Sequence, residues 1–167
     1  MEFWIENTCE DRNLGGVGWE YLNVLGTFVK FFAIIFLLSI PKVVLAEIIQ
    51  IKFTENDTYS IDVARIETGD TIEWLPENEG HNVEFFAGPD MDLLPKKSKI
   101  DEFHSIVFKI PGVYLYGCTP HANMGMLGLI VVDNDFHNIE KIKLVELPRV
   151  ASSVLKRLIR TAMSSSD

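Results

Sequence analysis

From Glu47 onward the chain runs in short bursts of apolar and polar residues, separated by turn-forming clusters. Ile49, Ile51 and Phe53 alternate with polar neighbours, which predicts a strand over Glu47–Phe53. Thr54-Glu55-Asn56-Asp57 is a turn cluster. Tyr59–Ile66 reads as a second strand with Ile61, Val63 and Ile66 inward. Thr68-Gly69-Asp70 is a tight turn, and Thr71–Leu75 is a third strand that stops at Pro76. After Glu77–Gly80 comes a short strand, His81–Phe86, which begins with the histidine itself. An irregular stretch, Ala87–Glu102, precedes an alternating strand over Phe103–Ile110. Pro111-Gly112 turns the chain into Val113–Gly117, and Leu127–Val132 closes the series. Short strands at near-regular spacing predict an all-β, Greek-key antiparallel β-sandwich of about seven to eight strands. A domain of ~120 residues buries over ~60% of its unfolded surface, enough for stability without disulfides.

The pattern then changes period. Asn134-Asp135 is a cap signal for a helix through Phe136, Ile139 and Ile142, and Pro148 is suited to start a second helix. In that second helix Val150, Val154, Leu155, Leu158, Ile159 and Ala162 share one face, with Lys156, Arg157 and Arg160 on the other. A basic amphipathic helix suits a membrane surface or a partner. The favoured reading is packing on the sandwich, because a surface helix normally has this pattern. The expected organisation is an N-terminal extension and signal peptide over residues 1–46, a β-sandwich over 47–133, and two C-terminal α-helices over 134–167.

The apolar run Phe31–Ile40 follows Lys30, and Val44 and Ala46 are small residues placed for a cut before Glu47. That is a secretory pattern, and the run is shorter than the ~20 residues of a spanning helix. The alternative is a retained membrane anchor. Glu2, Glu6, Glu10, Asp11 and Glu20 are unlike the basic start of a signal peptide, so translation is expected to begin later, near Leu22 or Val24. Cys9 precedes the apolar run and is read as a passenger.

The formal net charge of −9 makes nucleic acid a poor partner, because phosphate binding needs Lys and Arg. Cysteine usage is more informative. Residues 47–167 contain one cysteine, Cys118, so no disulfide can form within them. A lone thiol in an oxidising compartment is a liability that metal coordination removes. His121 lies three residues after Cys118, Met126 follows five residues later, and His81 sits upstream in Gly80-His81-Asn82-Val83. Two imidazoles, a thiolate and a thioether are the donor set of a blue-copper electron-transfer site. Pro120 stiffens the turn between Cys118 and His121 by fixing its own φ. His104 is read as half-buried in its strand, His137 as a surface helix residue, and Met124 as part of an apolar rim. A copper enzyme would need an open coordination position or a second metal centre. A copper chaperone or store would cluster Met or Cys residues.

Four stretches carry a resemblance to a known family: Thr68-Gly69-Asp70-Thr71, Gly80-His81-Asn82-Val83-Glu84, Cys118-Thr119-Pro120-His121 through Gly125-Met126, and Asn138-Ile139-Glu140-Lys141-Ile142-Lys143. The chain resembles the cupredoxins, and within them most closely the pseudoazurins. Plastocyanins share the Cys-x2-His-x4-Met spacing but end after the last strand. The resemblance implies one type 1 copper ion held by His81, Cys118, His121 and the axial Met126. It implies an electron carrier and not an enzyme, monomeric and periplasmic, meeting the membrane only during export. The partners it implies are periplasmic redox proteins such as copper nitrite reductase, c-type cytochromes or a terminal oxidase or reductase. Asn82 resembles the family residue that ties the two ligand loops together. Where the family often has a rim of lysines, this chain has Glu79 and Gly117, with Lys96, Lys97 and Lys99 remaining. Residues 47–167 carry 12 Lys and Arg against 19 Asp and Glu, a net −7, so steering toward acidic partners is expected to be weaker than usual.

Overall fold

The computed structural model describes residues 45–164. Cys9, the apolar run 31–40, Val44 and the expected start near Leu22 lie outside the described residues. Seven strands follow in order: β1 (Ile48–Lys52), β2 (Val63–Ile66), β3 (Thr71–Leu75), β4 (Glu84–Ala87), β5 (His104–Val107), β6 (Gly112–Gly117) and β7 (Leu127–Val132). Two helices complete the chain, α1 (Ile139–Lys143) and α2 (Arg149–Ser164). The strands form two sheets, ordered β1-β3-β5 and β2-β7-β6-β4. The sandwich is therefore as expected, but it is not wholly antiparallel. β1 runs parallel to β3, and β2 runs parallel to β7. The reason is that the chain changes sheet after β1 and again after β2, so these neighbours are not joined by hairpins.

Between the sheets lie Ile51, Phe53, Ile72, Trp74, Phe108 and Tyr116, all fully buried. The turn before β3 is closed by Gly69 at φ 102, a left-handed value open to glycine. Beside it the buried Asp70 carboxylate accepts from the backbone N–H of Glu47 and of Glu67, each at 2.7 Å. These bonds anchor the start of β1 to the β2–β3 turn.

Two strands, β2 and β4, start at least three residues later than the alternation predicts, and β5 ends at Val107, before the expected Ile110. Tyr59 makes only a single bridge with Phe53, and its hydroxyl donates to the Asn82 carbonyl at 2.8 Å. The ladder of β2 then starts at Val63. His81–Val83 is likewise not strand, because its backbone groups bond elsewhere. Gly80 and His81 N–H donate to Asp101 Oδ1, and Val83 N–H donates to Ser98 Oγ.

Both faces of β6 and β7 are buried, which explains the unbroken apolar run Leu127–Val132. One face meets the other sheet. The opposite face is covered by Ala151, Leu155, Leu158, Ile159 and Ala162 of α2, clustered with Val113, Leu115, Leu129 and Val131. The apolar stripe therefore packs on the sandwich. Of the expected stripe only Val150 is exposed, at 57%, and Ala151 is buried beside the rest. Among the described residues no helix is long and apolar enough to cross a membrane. The first helix also differs, since it is capped at Asn138 and not at Asn134-Asp135. Asp133 and Asn134 sit at φ 56 and 50, in a left-handed turn. The buried Asn138 amide instead fastens α1 to β6, accepting from Val113 N–H at 2.8 Å and donating to Val113 C=O at 2.7 Å. His137 lies in the turn before α1, exposed and paired with Asp135.

His104 stands opposite Trp74 across the β3–β5 ladder, with ring centroids 5.8 Å apart. Burial holds its imidazole below the usual range, partly offset by a hydrogen bond at Lys96. A histidine whose folded-state pKa is depressed binds its proton more readily in the unfolded chain, so its contribution to stability is present above about pH 6.5 and is lost as pH falls. His104→Gln is therefore expected to make the fall in Tm between pH 7.5 and 5 shallower, measured on the metal-free protein. An unchanged slope would show that His104 takes no part in acid destabilisation.

Candidate metal centre

His81 enters from the irregular segment before β4, while Cys118 and His121 come from the loop between β6 and β7. That loop folds on itself. Cys118 N–H donates to Met126 C=O at 3.1 Å, continuing the β6–β7 ladder by one step. The N–H groups of His121 and Ala122 turn back onto Cys118 C=O at 3.1 and 2.6 Å. The turn ends at Gly125, whose φ of 106 and whose closeness to Val154 of α2 leave no room for a side chain.

The result is a compact trio of donors. His81 Nδ1 lies 3.7 Å from Cys118 Sγ, His121 Nδ1 lies 3.6 Å from Sγ, and the two Nδ1 atoms are 3.1 Å apart. A triangle with those edges has a centre about 2.0 Å from each corner, which is an ordinary metal–nitrogen distance and slightly short for sulfur. Both imidazoles thus present a nitrogen to one shared point. Among the described residues this is the one such cluster, and Cys118 is the one free cysteine. Met126 is buried in the same apolar cluster as Cys118. The mixture of thiolate, imidazole and thioether donors suits copper, so the residues present fit that ion.

The electrostatics favour neutral groups until a metal enters. Burial pushes the Cys118 thiol up, and backbone hydrogen bonds at Asn82 and His121 pull it partly back. Burial also lowers His81, followed by the nearby His121 ring, while Asp57 and Asp101 act in the opposite sense. A metal that binds here must displace the thiol proton, which couples affinity to pH.

The two ligand-bearing segments are cross-linked by Asn82. Its Oδ1 accepts from Thr119 N–H at 2.8 Å, and its Nδ2 donates to Thr119 Oγ1 at 2.9 Å. Thr119 Oγ1 in turn donates to Glu84 Oε2 at 2.7 Å. Phe53 packs edge-on against the His81 ring at 5.8 Å. The side chain of His81 is 3% exposed and that of His121 is 23% exposed, so only His121 offers an edge to solvent. Around it Met124 is 60% exposed and Pro120 is exposed, as a rim would require.

His104 and His137 lie outside the trio. Asp57, Asp101 and Thr119 are the participants that the sequence did not single out. Asp57 and Asp101 look like turn fillers, and nothing local marks them as neighbours of the histidines. Gly117 has a steric reason to lack a side chain, since a Cβ there would lie 2.8 Å from Met126 C=O and 2.7 Å from Phe86 and Leu127. A lysine at that position would need the surrounding backbone to move.

Comparison with known proteins agrees with this geometry. Residues 49–133 match the model of the copper binding proteins, plastocyanin/azurin family. A putative pseudoazurin of Rhizobium leguminosarum bv. viciae is 43% identical over 95 residues, covering 56% of this chain and 60% of that protein. The pseudoazurin of Paracoccus pantotrophus is 37% identical over 92 residues, covering 52% of this chain and 61% of that protein. The chain thus spans about 60% of the length of these relatives. The crystal structure of pseudoazurin from Methylobacterium extorquens AM1 superposes with a TM-score of 0.63 at 29% identity, covering 68% of this chain and 98% of that one.

Proposed function

The chain belongs to the plastocyanin/azurin family of copper-binding proteins, and on that premise we propose that it is a pseudoazurin-like type 1 copper protein that carries single electrons. The observation that carries this reading is the triangle of His81 Nδ1, His121 Nδ1 and Cys118 Sγ. In this proposal His81, Cys118 and His121 hold the ion, and Met126 is the weak axial donor. Copper supplies the one-electron Cu(I)/Cu(II) couple. The residues supply a fixed setting for it, since Asn82, Thr119 and Asp101 hold both ligand segments through bonds that do not depend on the metal. Little then has to move when an electron arrives or leaves.

His121 is the exit in this reading, as the more exposed of the two ligand imidazoles, and Met124 and Pro120 supply an apolar rim for brief docking. The partners are periplasmic redox proteins, with copper nitrite reductases and c-type cytochromes the first to try. A periplasmic location is supported by the apolar run and small residues before Glu47, and by the single cysteine after it. The test is stopped-flow electron transfer between the purified copper form and these two partner classes. A blue protein that exchanges electrons with neither would sink the carrier assignment while leaving the metal site intact. A protein that binds copper without an intense visible band would favour a copper chaperone or store.

The axial assignment has its own check. Met126→Leu is expected to keep a coloured site and raise its reduction potential, because Cu(II) loses more than Cu(I) when a weak axial donor goes. Cyclic voltammetry measures this. A colourless variant would mean that Met126 does more than act as a weak axial donor.

A further inference from the structure

His81 has two ring nitrogens, and only Nδ1 faces the thiol. Its Nε2 lies 3.5 Å from Asp57 Oδ1. The same oxygen lies 3.8 Å from His121 Nδ1. One carboxylate thus stands beside both imidazoles. Asp101 does not compete for this place, since its Oδ1 accepts from the backbone N–H of Gly80 and of His81.

The β1–β2 loop holds Asp57 there by its own bonds. Thr54 N–H donates to Thr58 C=O at 3.0 Å, and the two threonine hydroxyls are 2.7 Å apart. Asp57 itself sits at φ 52, a left-handed value that few residues other than Gly, Asn and Asp adopt. Phe53, at the end of β1, packs edge-on on the His81 ring. The ring is therefore packed by Phe53 and has the Asp57 carboxylate beside its Nε2.

We propose that Asp57 is a positioning and charge-tuning residue of the copper centre: its carboxylate orients His81 through Nε2 and keeps the reduction potential lower than a neutral side chain would. This rests on the assignment of His81, Cys118 and His121 as copper ligands. The physical reason is twofold. A carboxylate close to the second nitrogen of a ligating imidazole favours the tautomer with the proton there and makes the other nitrogen a better donor. The negative charge also stabilises the divalent ion more than the monovalent one. Asp57 is half exposed, so solvent screens part of this effect.

The test is the reduction potential of the copper-loaded protein, measured at neutral pH in low and high salt for wild type, Asp57→Asn and Asp57→Glu. The asparagine keeps the shape and removes the charge. At a fixed electrode potential it is expected to shift the Cu(I)/Cu(II) ratio about three- to tenfold toward Cu(I), or about 30–60 mV at 59 mV per decade. The shift should shrink in high salt, and Asp57→Glu should recover most of the wild-type value. A purely structural role would leave the potential where it was, so an asparagine variant with wild-type potential overturns the proposal. A folded asparagine variant that loses its visible band overturns it as well, because the carboxylate would then be needed to hold the ion. Failure of the parent assignment is distinguishable, since wild type itself would then lack the band.

Discussion

Cys118→Ser is expected to erase the intense visible absorption of the Cu(II) form while leaving the sandwich folded. Only the thiolate sulfur can supply a strong low-energy charge-transfer transition to copper, and Cys118 is the one free cysteine among the described residues. The substitution is nearly isosteric, so the β6–β7 loop keeps its backbone bonds from Cys118 to Met126 and from His121 and Ala122 to Cys118. The buried hydroxyl lies beside both imidazole nitrogens, and pairing with them less well than in water costs at most about 1–3 kcal/mol. That is tolerable for a domain with a continuous core between two sheets. The check is an absorption spectrum of each protein after Cu(II) loading, with far-UV circular dichroism to confirm folding. A folded serine variant that stayed strongly coloured would remove Cys118 from the site.

How much of this was legible beforehand follows from sequence distance. Cys118, His121 and Met126 occupy a single loop, so their spacing survives as a local pattern. β3 and β7 begin and end where alternation and turn residues predict, because nothing outside them competes for their backbone groups. β4 starts later than predicted because Ser98 and Asp101, some 15 to 21 residues away, bond the backbone of Gly80–Val83. The late start of β2 likewise traces to Tyr59 reaching Asn82, 23 residues away. The same cause hid Asp57, whose role depends on a distance to His81 that no local pattern encodes. On α2 the period and all of the apolar stripe but its first residue were legible. Val150 fits the apolar stripe by spacing, yet Ala151 is the residue buried in the cluster under α2 and Val150 is left exposed.

Asn82→Ala is the substitution expected to loosen the copper centre most without touching a ligand. Asn82 is 1% exposed, and its amide makes three hydrogen bonds, two to Thr119 and one to Ser98 C=O at 3.3 Å. The two to Thr119 join the His81 segment to the Cys118 loop. Alanine takes away the acceptor of Thr119 N–H and the donor to Ser98 C=O and Thr119 Oγ1, and each lost hydrogen bond costs about 0.5–1.5 kcal/mol. The lost side chain also opens a small void, so a total of about 2–4 kcal/mol of stability is expected to go. Thr119 Oγ1 keeps its bond to Glu84, which holds that hydroxyl but not the backbone next to Cys118. The two halves of the donor triangle then drift relative to each other, and copper retention should fall about 10–100-fold, the usual cost of losing a group that orients ligands. Asn82→Asp separates the two effects, since its carboxylate still accepts from Thr119 N–H but cannot donate to Thr119 Oγ1 or Ser98. Its copper retention should lie between wild type and alanine. Chelator competition measures retention, and denaturant unfolding of the metal-free protein measures stability. An alanine variant with wild-type values in both would mean that the β6–β7 loop holds its shape without Asn82, and that Met126 C=O and Cys118 C=O suffice to preorganise it.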